Sequence, residues 1–182
     1  DRVTILSGVF EGKSTGAPIA IIVRNENARS QDYEAIKDLF RPGHADFTWW
    51  KKFAIRDWRG GGRTSGRETV ARVAAGSIAR QILAAAGVKI TGYVVQVGTI
   101  RAETFDISQI ERNPVRCADA QAAVRMVEAI EAARKDGDSI GGVVEVRAEG
   151  VPAGWGDPVF GKLDAYFGAA LLSIGAVKGV EI

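Results

Sequence analysis

The residues best suited to chemistry lie close together, between residues 40 and 68 of the chain. This stretch contains the chain's only histidine, His44, and a glycine triplet at residues 60–62. Successive glycines adopt backbone angles that other residues avoid, and they let a ligand come close to the main chain. Residues 41–67 hold seven Lys and Arg but only two Asp. Such a combination of glycines and cations is typical of a site for an anion.

A helix is predicted to begin directly after the glycine triplet. Ser65 and Glu68 have the spacing of a capping box, in which a serine and a glutamate satisfy the first free N–H groups of a helix. Free N–H groups and the positive end of the helix dipole also attract anions, and Arg41 and Arg67 add forked donors. We therefore expect a ligand with more than one acidic group. The alternative is that Ser65 only caps the helix and the glycines only make a tight connection.

The elements around this stretch predict an α+β fold in a single domain, residues 1–182. Helices are predicted over residues 67–86, 119–137 and 157–174. Strands are predicted over residues 3–10, 18–24, 88–100, 139–148 and 177–182, with a hairpin around residues 11–16. This order lacks the regular alternation of a doubly wound sheet. The first of these helices has one apolar stripe, formed by Val70, Val73, Ala74, Ile78 and Ile82. Its many Ala and other small residues predict close packing in the interior.

Composition limits the classes of function that the chain can have. Its 182 residues suffice for one domain with a sizeable core. The net charge of +2 does not require a nucleic-acid partner, and a local basic cluster on a nearly neutral chain favours a small acidic molecule. A single cysteine, Cys117, excludes an intrachain disulfide and fits a reducing cytosol. With one His and one Cys, a zinc site made by protein ligands alone is not expected.

Neither a membrane-spanning run nor a signal peptide is apparent in the sequence, so we expect a cytoplasmic protein without a membrane partner. The chain begins at Asp1 and ends at Ile182, each within a predicted strand. We therefore expect it to be a piece of a longer protein.

Several blocks of sequence occur in a fixed order along the chain and together resemble the chorismate synthase family. They include SGVFEGKSTGAPIA at residues 7–20, FRPGHAD at residues 40–46, RDWRGGGRTSGRET at residues 56–69, GVPAGWGDPVF at residues 150–160 and SIGAVKGVEI at residues 173–182. The resemblance covers the whole chain but only the central portion of the family. It implies a β-α-β sandwich, with helices layered between antiparallel sheets, truncated at both ends, and a homotetrameric parent protein.

The resemblance also implies an activity, that of a lyase acting at the last common step of the shikimate pathway. In that reaction 5-enolpyruvylshikimate-3-phosphate loses phosphate and a ring proton by 1,4-anti elimination and becomes chorismate. The family needs reduced FMN although the reaction has no net redox change, and the flavin is thought to lend an electron transiently. NADPH is expected only where the full-length parent reduces its own flavin. Two phosphorylated anions would then share one cationic pocket.

Site residues follow from the resemblance, position by position. His44 matches the catalytic histidine that is proposed to donate a proton to reduced FMN, and Arg41 and Arg67 match arginines that hold substrate anions. The expected cofactor contacts are Arg63, Thr64, Ser65, Gly175 and Ala176. Residue 175 is Gly where the family has Asn, so backbone contacts there are retained and side-chain contacts are lost. No metal is expected.

Other functions stay open beside this one. The family's N-terminal segment, with a second active-site histidine, and its C-terminal part, with a catalytic Asp, have no counterpart in these residues. The chain alone is therefore expected to be inactive. One alternative is that it is a non-catalytic core that binds flavin or another anion. An RNA-binding module is a further alternative, because the sequence RGGGR at residues 59–63 lies near tryptophans that could stack on bases. The last alternative is a purely structural fragment that binds no ligand tightly.

Overall fold

The computed structural model describes residues 2–26 and 29–182. The chain divides into two compact units: the first comprises Asp1–Ala79 with Trp155–Ile182, and the second comprises Arg80–Gly154. Helices and strands occur together, and the paired strands of the described chain are antiparallel, which confirms the α+β class. That residues 1–182 form a single domain stays a prediction.

The elements follow one another in an irregular order. The strands are β1 Val3–Ile5, β2 Val9–Phe10, β3 Lys13–Ser14, β4 Ile21–Val23, β5 Lys89–Val97, β6 Ile100–Arg101 and β7 Gly142–Glu149. The α-helices are α1 Asp46–Phe53, α2 Thr69–Ala85, α3 Ala120–Lys135 and α4 Leu163–Leu172. Short 3-10 turns occupy Ser30–Ile36, Gly62–Thr64, Gly66–Glu68 and Ile107–Arg112.

The first unit begins with two small antiparallel sheets. Strand β1 pairs with β4, and β2 pairs with β3 through a tight turn at Glu11 and Gly12, which confirms the predicted hairpin. The single strand predicted over residues 3–10 is wrong. Gly8 has a φ of +79° and interrupts the extended run, so two short strands form instead.

The second unit is organised around β5, which lies between β6 and β7 in one sheet. The prediction of one strand over residues 88–100 is wrong, because the chain turns at Gly98, where φ is +55°, and returns as β6. On the other side β7 pairs with β5 along most of its length, with a bulge between Val94 and Gln96. All eight residues of β7 are exposed.

The core of the second unit forms where β5 meets α3. Tyr93 and Val97 on β5 are buried, and Val97 packs against a cluster that includes Ala122 and Met126 of α3. Small and flexible apolar side chains at this contact let the helix lie close to the sheet. Helix α3 is capped by Asp119, whose carboxylate accepts hydrogen bonds from the N–H groups at positions 121 and 122, and it lies within the range predicted from the sequence.

Helix α2 has the length that its apolar pattern predicts, but it is not an interior helix. It holds no buried residue: Val73 is 72% exposed and Ile82 is 68% exposed. Apolar periodicity therefore identified the helix correctly, whereas the expectation that the helix packs in the interior is wrong.

The last part of the chain departs most from the sequence prediction. Helix α4 begins at Leu163 and not at Asp157, because the Asp157 N–H donates to the carbonyl of Gly161 and forms a turn there first. The described chain has no strand over residues 177–182. Among the described residues no helix is long and apolar enough to cross a membrane.

Candidate functional site

Three segments of the first unit carry the predicted site residues. They are the loop over residues 41–46 before α1, the segment over residues 60–68 before α2, and the turn over residues 173–176 after α4. The first two segments meet at Arg41. A methyl group added to Gly61 would lie 3.2 Å from Nη2 of that arginine. The histidine loop and the glycine triplet are therefore neighbours in the fold.

His44 lies exposed in the loop that follows Pro42. Its Nδ1 is 3.0 Å from the carbonyl oxygen of Pro42, and its backbone N–H donates to the carbonyl of Arg41. A carbonyl oxygen can only accept a hydrogen bond, so Nδ1 carries a proton in this geometry. The atom of the ring that remains for proton exchange with a ligand is Nε2.

The capping box predicted at Ser65 and Glu68 is not formed. Ser65 Oγ accepts from the N–H of Arg67 and so caps the 3-10 turn Gly66–Glu68, while α2 begins only at Thr69. The Glu68 carboxylate binds Arg63 Nη1 at 2.8 Å, because a charged donor competes better for it than a backbone N–H does. Two tight turns thus separate the glycine triplet from the α-helix.

Arginine contacts also connect the start of α2 to the turn after α4. Arg72 donates from Nη2 to the carbonyl oxygen of Ser173 at 3.0 Å and to its hydroxyl at 3.1 Å. The turn that follows contains Gly175 and Ala176, and Ala176 has a φ of +69°. Arg72 Nη1 also donates to the carbonyl oxygen of Glu68, so the segments that carry residues 63–65 and residues 175–176 both contact the Arg72 guanidinium.

The cations of the site are balanced by nearby carboxylates. Arg63 pairs with Glu68, and Arg59 pairs with Asp57 at 3.1 Å. Hydrogen bonds from Arg59 lower the pKa of Asp57. Exposed pairs of this kind contribute about 0.2–1 kcal/mol each, so a phosphate with stronger hydrogen bonds can displace the carboxylate from Arg63. Arg67 also contacts the main chain, since its Nη2 donates to the carbonyl oxygen of Arg24.

Sequence reasoning missed three residues that build this site, namely Asp46, Arg56 and Arg72. Asp46 is one of only two acids in the basic stretch, which was the available signal. Nothing in the spacing indicated which arginine it binds. The link from Arg72 to Ser173 joins residues about a hundred positions apart, and no local pattern predicts such a pair.

Two further features of the described residues bear on ligands. A cavity of about 540 Å³ is lined by residues of the second unit, among them Arg80, Val88 and Ile110, and by none of the predicted site residues. Within residues 2–26 and 29–182, no three His, Cys, Asp or Glu side chains are grouped as metal ligands would be.

Replacing Gly61 by alanine is expected to destabilise the first unit by about 2 kcal/mol. The φ of +90° at Gly61 is strained for any residue with a Cβ, and the added methyl group would lie 3.0 Å from Oγ1 of Thr64 as well as near Arg41. Gly66→Ala is the matched control, since nothing lies within 4 Å of its added methyl group. Urea denaturation checks both; an equal effect of the two substitutions would contradict this account.

Comparison with known proteins identifies the family. The family model described as chorismate synthase matches residues 1–182. A chorismate synthase of Chloroflexus aggregans is 59% identical over 182 residues, which are all of this chain and 50% of that protein. One of Methanosarcina mazei is 55% identical over 186 residues and is covered to 51%.

A solved structure gives the same result for the fold. A crystal structure of chorismate synthase superposes with a TM-score of 0.82 at 32% identity, over 99% of this chain and 54% of that one. The chain thus spans about half the length of the relatives that it matches. It belongs to the chorismate synthase family.

Proposed function

We propose that the protein of which these residues form part converts 5-enolpyruvylshikimate-3-phosphate to chorismate and phosphate, using reduced FMN. The observation that carries the proposal is the close approach of the Arg41 guanidinium to Gly61, where an added methyl group would lie 3.2 Å from Nη2. Through it the loop of His44 lies beside the segment of Arg63, Thr64 and Ser65. A proton-exchanging imidazole next to donors for a phosphate is what this elimination requires.

The residues fit an anionic cofactor by their donor chemistry. Arg63 is 77% exposed at its side chain, and among the described residues its ion-pair partner is the half-buried carboxylate of Glu68, so its guanidinium can turn to a phosphate at small cost. The hydroxyls of Thr64 and Ser65 lie on the same segment. A Cβ added at Gly175 would have no atom within 4 Å, so a ligand can approach the main chain from that side. FMN, when bound, would supply the transient electron that eases departure of the allylic phosphate.

The roles of the remaining residues follow from their positions. Arg41 and Arg67 would bind the anionic groups of the substrate, Arg41 through the guanidinium edge that faces away from Asp46. His44 would exchange a proton at Nε2, since its Nδ1 is engaged by Pro42. These proposed assignments agree with those that the family resemblance implies.

The wider setting of the protein is proposed on the same basis. We infer a cytoplasmic homotetramer, with NADPH used only where the protein reduces its own flavin. A core that binds flavin without catalysis is the second candidate, because the chain covers only half of its relatives. RNA binding is less well supported: the amines of Lys51 and Lys52 already lie over the rings of Phe47, Trp50 and Phe53 of their own helix.

Replacing Arg63 by alanine is expected to weaken FMN binding about tenfold or more. A hydrogen bond from a charged donor to phosphate contributes about 1.5–3 kcal/mol. This is more than the free energy that the ion pair between Arg63 and Glu68 contributes. The measurement is a titration of FMN into the protein at its full natural length, followed by quenching of flavin fluorescence.

Arg116→Ala is the control for this titration, because Arg116 is an exposed arginine of the second unit that also pairs with a glutamate, Glu111. It should leave FMN affinity unchanged. Equal affinities of Arg63→Ala and the unsubstituted protein would remove Arg63 from the cofactor site. Salt-sensitive binding of RNA without any affinity for FMN would favour the nucleic-acid alternative instead.

A further inference from the structure

The carboxylate of Asp46 is the centre of a buried ionic cluster in the first unit. It accepts two hydrogen bonds from the Arg41 guanidinium, from Nε at 2.9 Å and from Nη2 at 3.1 Å, and a third from the Arg41 backbone N–H at 3.3 Å. Nη1 of Arg56 lies 3.5 Å from the same carboxylate. Asp46 is only 3% exposed.

Burial at this point is unusual for the unit. Within its described residues, only Asp46 and Gly61 are buried, and neither is an apolar side chain of any size. Desolvation cancels much of the attraction within a buried ion pair, so such a pair is weak support for stability. What a two-point contact between a guanidinium and a carboxylate does supply is a fixed orientation.

The contacts fix Arg41 on three sides. Asp46 holds the Nε and Nη2 edge, Tyr33 lies with its ring centroid 5.5 Å from the guanidinium carbon, and Gly61 leaves room for Nη2 because it has no side chain. Hydrogen bonds from Arg41 lower the pKa of Asp46, so the carboxylate stays charged at neutral pH. In the described chain Nη1 of Arg41 has no protein partner, and it is the donor left for a ligand.

The same carboxylate closes the loop that carries the histidine. The hydrogen bond from the Arg41 N–H to Asp46 spans residues 41–46, so it sets the path of the chain on both sides of His44. Arg56 supports the closure from outside: it donates to the carbonyls of Lys37 and Leu39, and its guanidinium carbon lies 5.2 Å from the centroid of the Phe40 ring.

We propose that Asp46, supported by Arg56, is a positioning residue that aims the Arg41 guanidinium at an acidic group of the substrate. The proposal rests on the proposed function, since it takes Arg41 as a substrate contact. Asp46 itself touches no ligand. Its effect is exerted through Arg41, and this sets it apart from a residue that only stabilises the fold.

A double-mutant cycle in the protein at its full natural length tests the proposal. Asp46→Asn should lower kcat/KM for 5-enolpyruvylshikimate-3-phosphate by about 100-fold, as a misplaced contact does, mainly through KM. FMN affinity should stay within about twofold of the parent, since Arg63 to Ser65 are untouched. Combined with Arg41→Ala, Asp46→Asn should cost nothing further, because both remove one interaction.

Three outcomes separate the possible failures. If the unsubstituted protein neither binds FMN nor turns over, the proposed function itself has failed. If it turns over and Asp46→Asn has an unchanged KM, or if the two substitutions add independently, the positioning role is overturned. Glu111→Gln, which removes an exposed carboxylate partner of Arg116, serves as control and should change nothing.

A second variant keeps the test decisive if Asp46→Asn does not fold. Asp46→Glu retains the charge and the ion pair but moves the carboxylate by one methylene group, so the guanidinium is displaced without being released. KM should rise about tenfold or more while the melting temperature stays close to that of the parent. An unchanged KM in a folded Asp46→Glu protein would overturn the proposal.

Discussion

If the proposed function holds, replacement of His44 by alanine in the protein at its full natural length is expected to lower kcat by about a thousandfold while FMN still binds. Proton transfer by a positioned side chain contributes about 10²–10⁴-fold to rate, and Nε2 of His44 is the ring atom left for that exchange once Nδ1 donates to Pro42. The side chain is exposed and, within the described residues, its one hydrogen bond is to the nearby Pro42 carbonyl, so the fold should tolerate its removal. Stopped-flow or steady-state assays with reduced FMN measure the loss.

His44→Asn is the matched control for this expectation. An asparagine can still donate to the Pro42 carbonyl, but it cannot exchange a proton near neutral pH. It should therefore lose kcat as alanine does. Turnover within about threefold of the parent in either variant would exclude proton transfer by His44, whereas loss of FMN binding in both would make its role one of cofactor binding.

The largest stability effect is expected at Asp119, whose replacement by alanine should cost about 3 kcal/mol. The carboxylate is 5% exposed and accepts four backbone hydrogen bonds: Oδ1 binds the N–H groups of Gln121 and Ala122, and Oδ2 binds those of Glu103 and Thr104. Loss of a helix cap costs about 1 kcal/mol, and each further partly buried N–H group left without its acceptor adds to that. Urea denaturation followed by circular dichroism measures the difference.

The effect at Asp119 should also depend on pH, with a definite sign. The backbone hydrogen bonds, that from Ala122 first, lower the pKa of Asp119 in the folded state. A carboxylate with a depressed folded pKa stabilises the fold fully above its unfolded pKa, near pH 4, and this stabilisation is lost as the pH falls further. The unsubstituted chain should therefore lose stability below about pH 4 more steeply than Asp119→Ala does.

Asp106 offers a control of the same chemical kind. It caps the 3-10 turn Ile107–Arg112 through the N–H of Ser108, but it is exposed. Asp106→Ala should cost less than Asp119→Ala, because water can replace its hydrogen bonds. Equal losses at the two positions would show that burial at Asp119 is not what makes its cap strong.

The parts of the fold that could be predicted are those set by local chemistry. Helix α3 starts where Asp119 provides a cap. Helix α2 ends where Gly87 can adopt a φ of +82°. The β5–β6 hairpin had a local signal too, since Gly98 and Thr99 make a two-residue turn. The residues on both sides of this turn are apolar, however, and such a continuous apolar run favours one long strand.

The parts that could not be predicted depend on contacts between distant residues. The burial of Asp46 between two arginines and the link from Arg72 to Ser173 follow from the path of the chain and leave no spacing in the sequence. The exposure of the apolar stripe on α2 could not be predicted for the same reason. An apolar face indicates that something covers it, but periodicity does not indicate where the covering residues belong in the sequence.

The division into two units has a practical consequence for spectroscopy. The first unit contains every tryptophan of this sequence: Trp49, Trp50, Trp58 and Trp155. The second unit contains none, and its one tyrosine is the buried Tyr93. Tryptophan fluorescence of these 182 residues, when the indole rings are excited selectively, therefore reports on the first unit alone. Circular dichroism reports on both units. Coincident acid transitions of the two signals would mean that the units unfold together, and separate transitions would mean that each unfolds by itself.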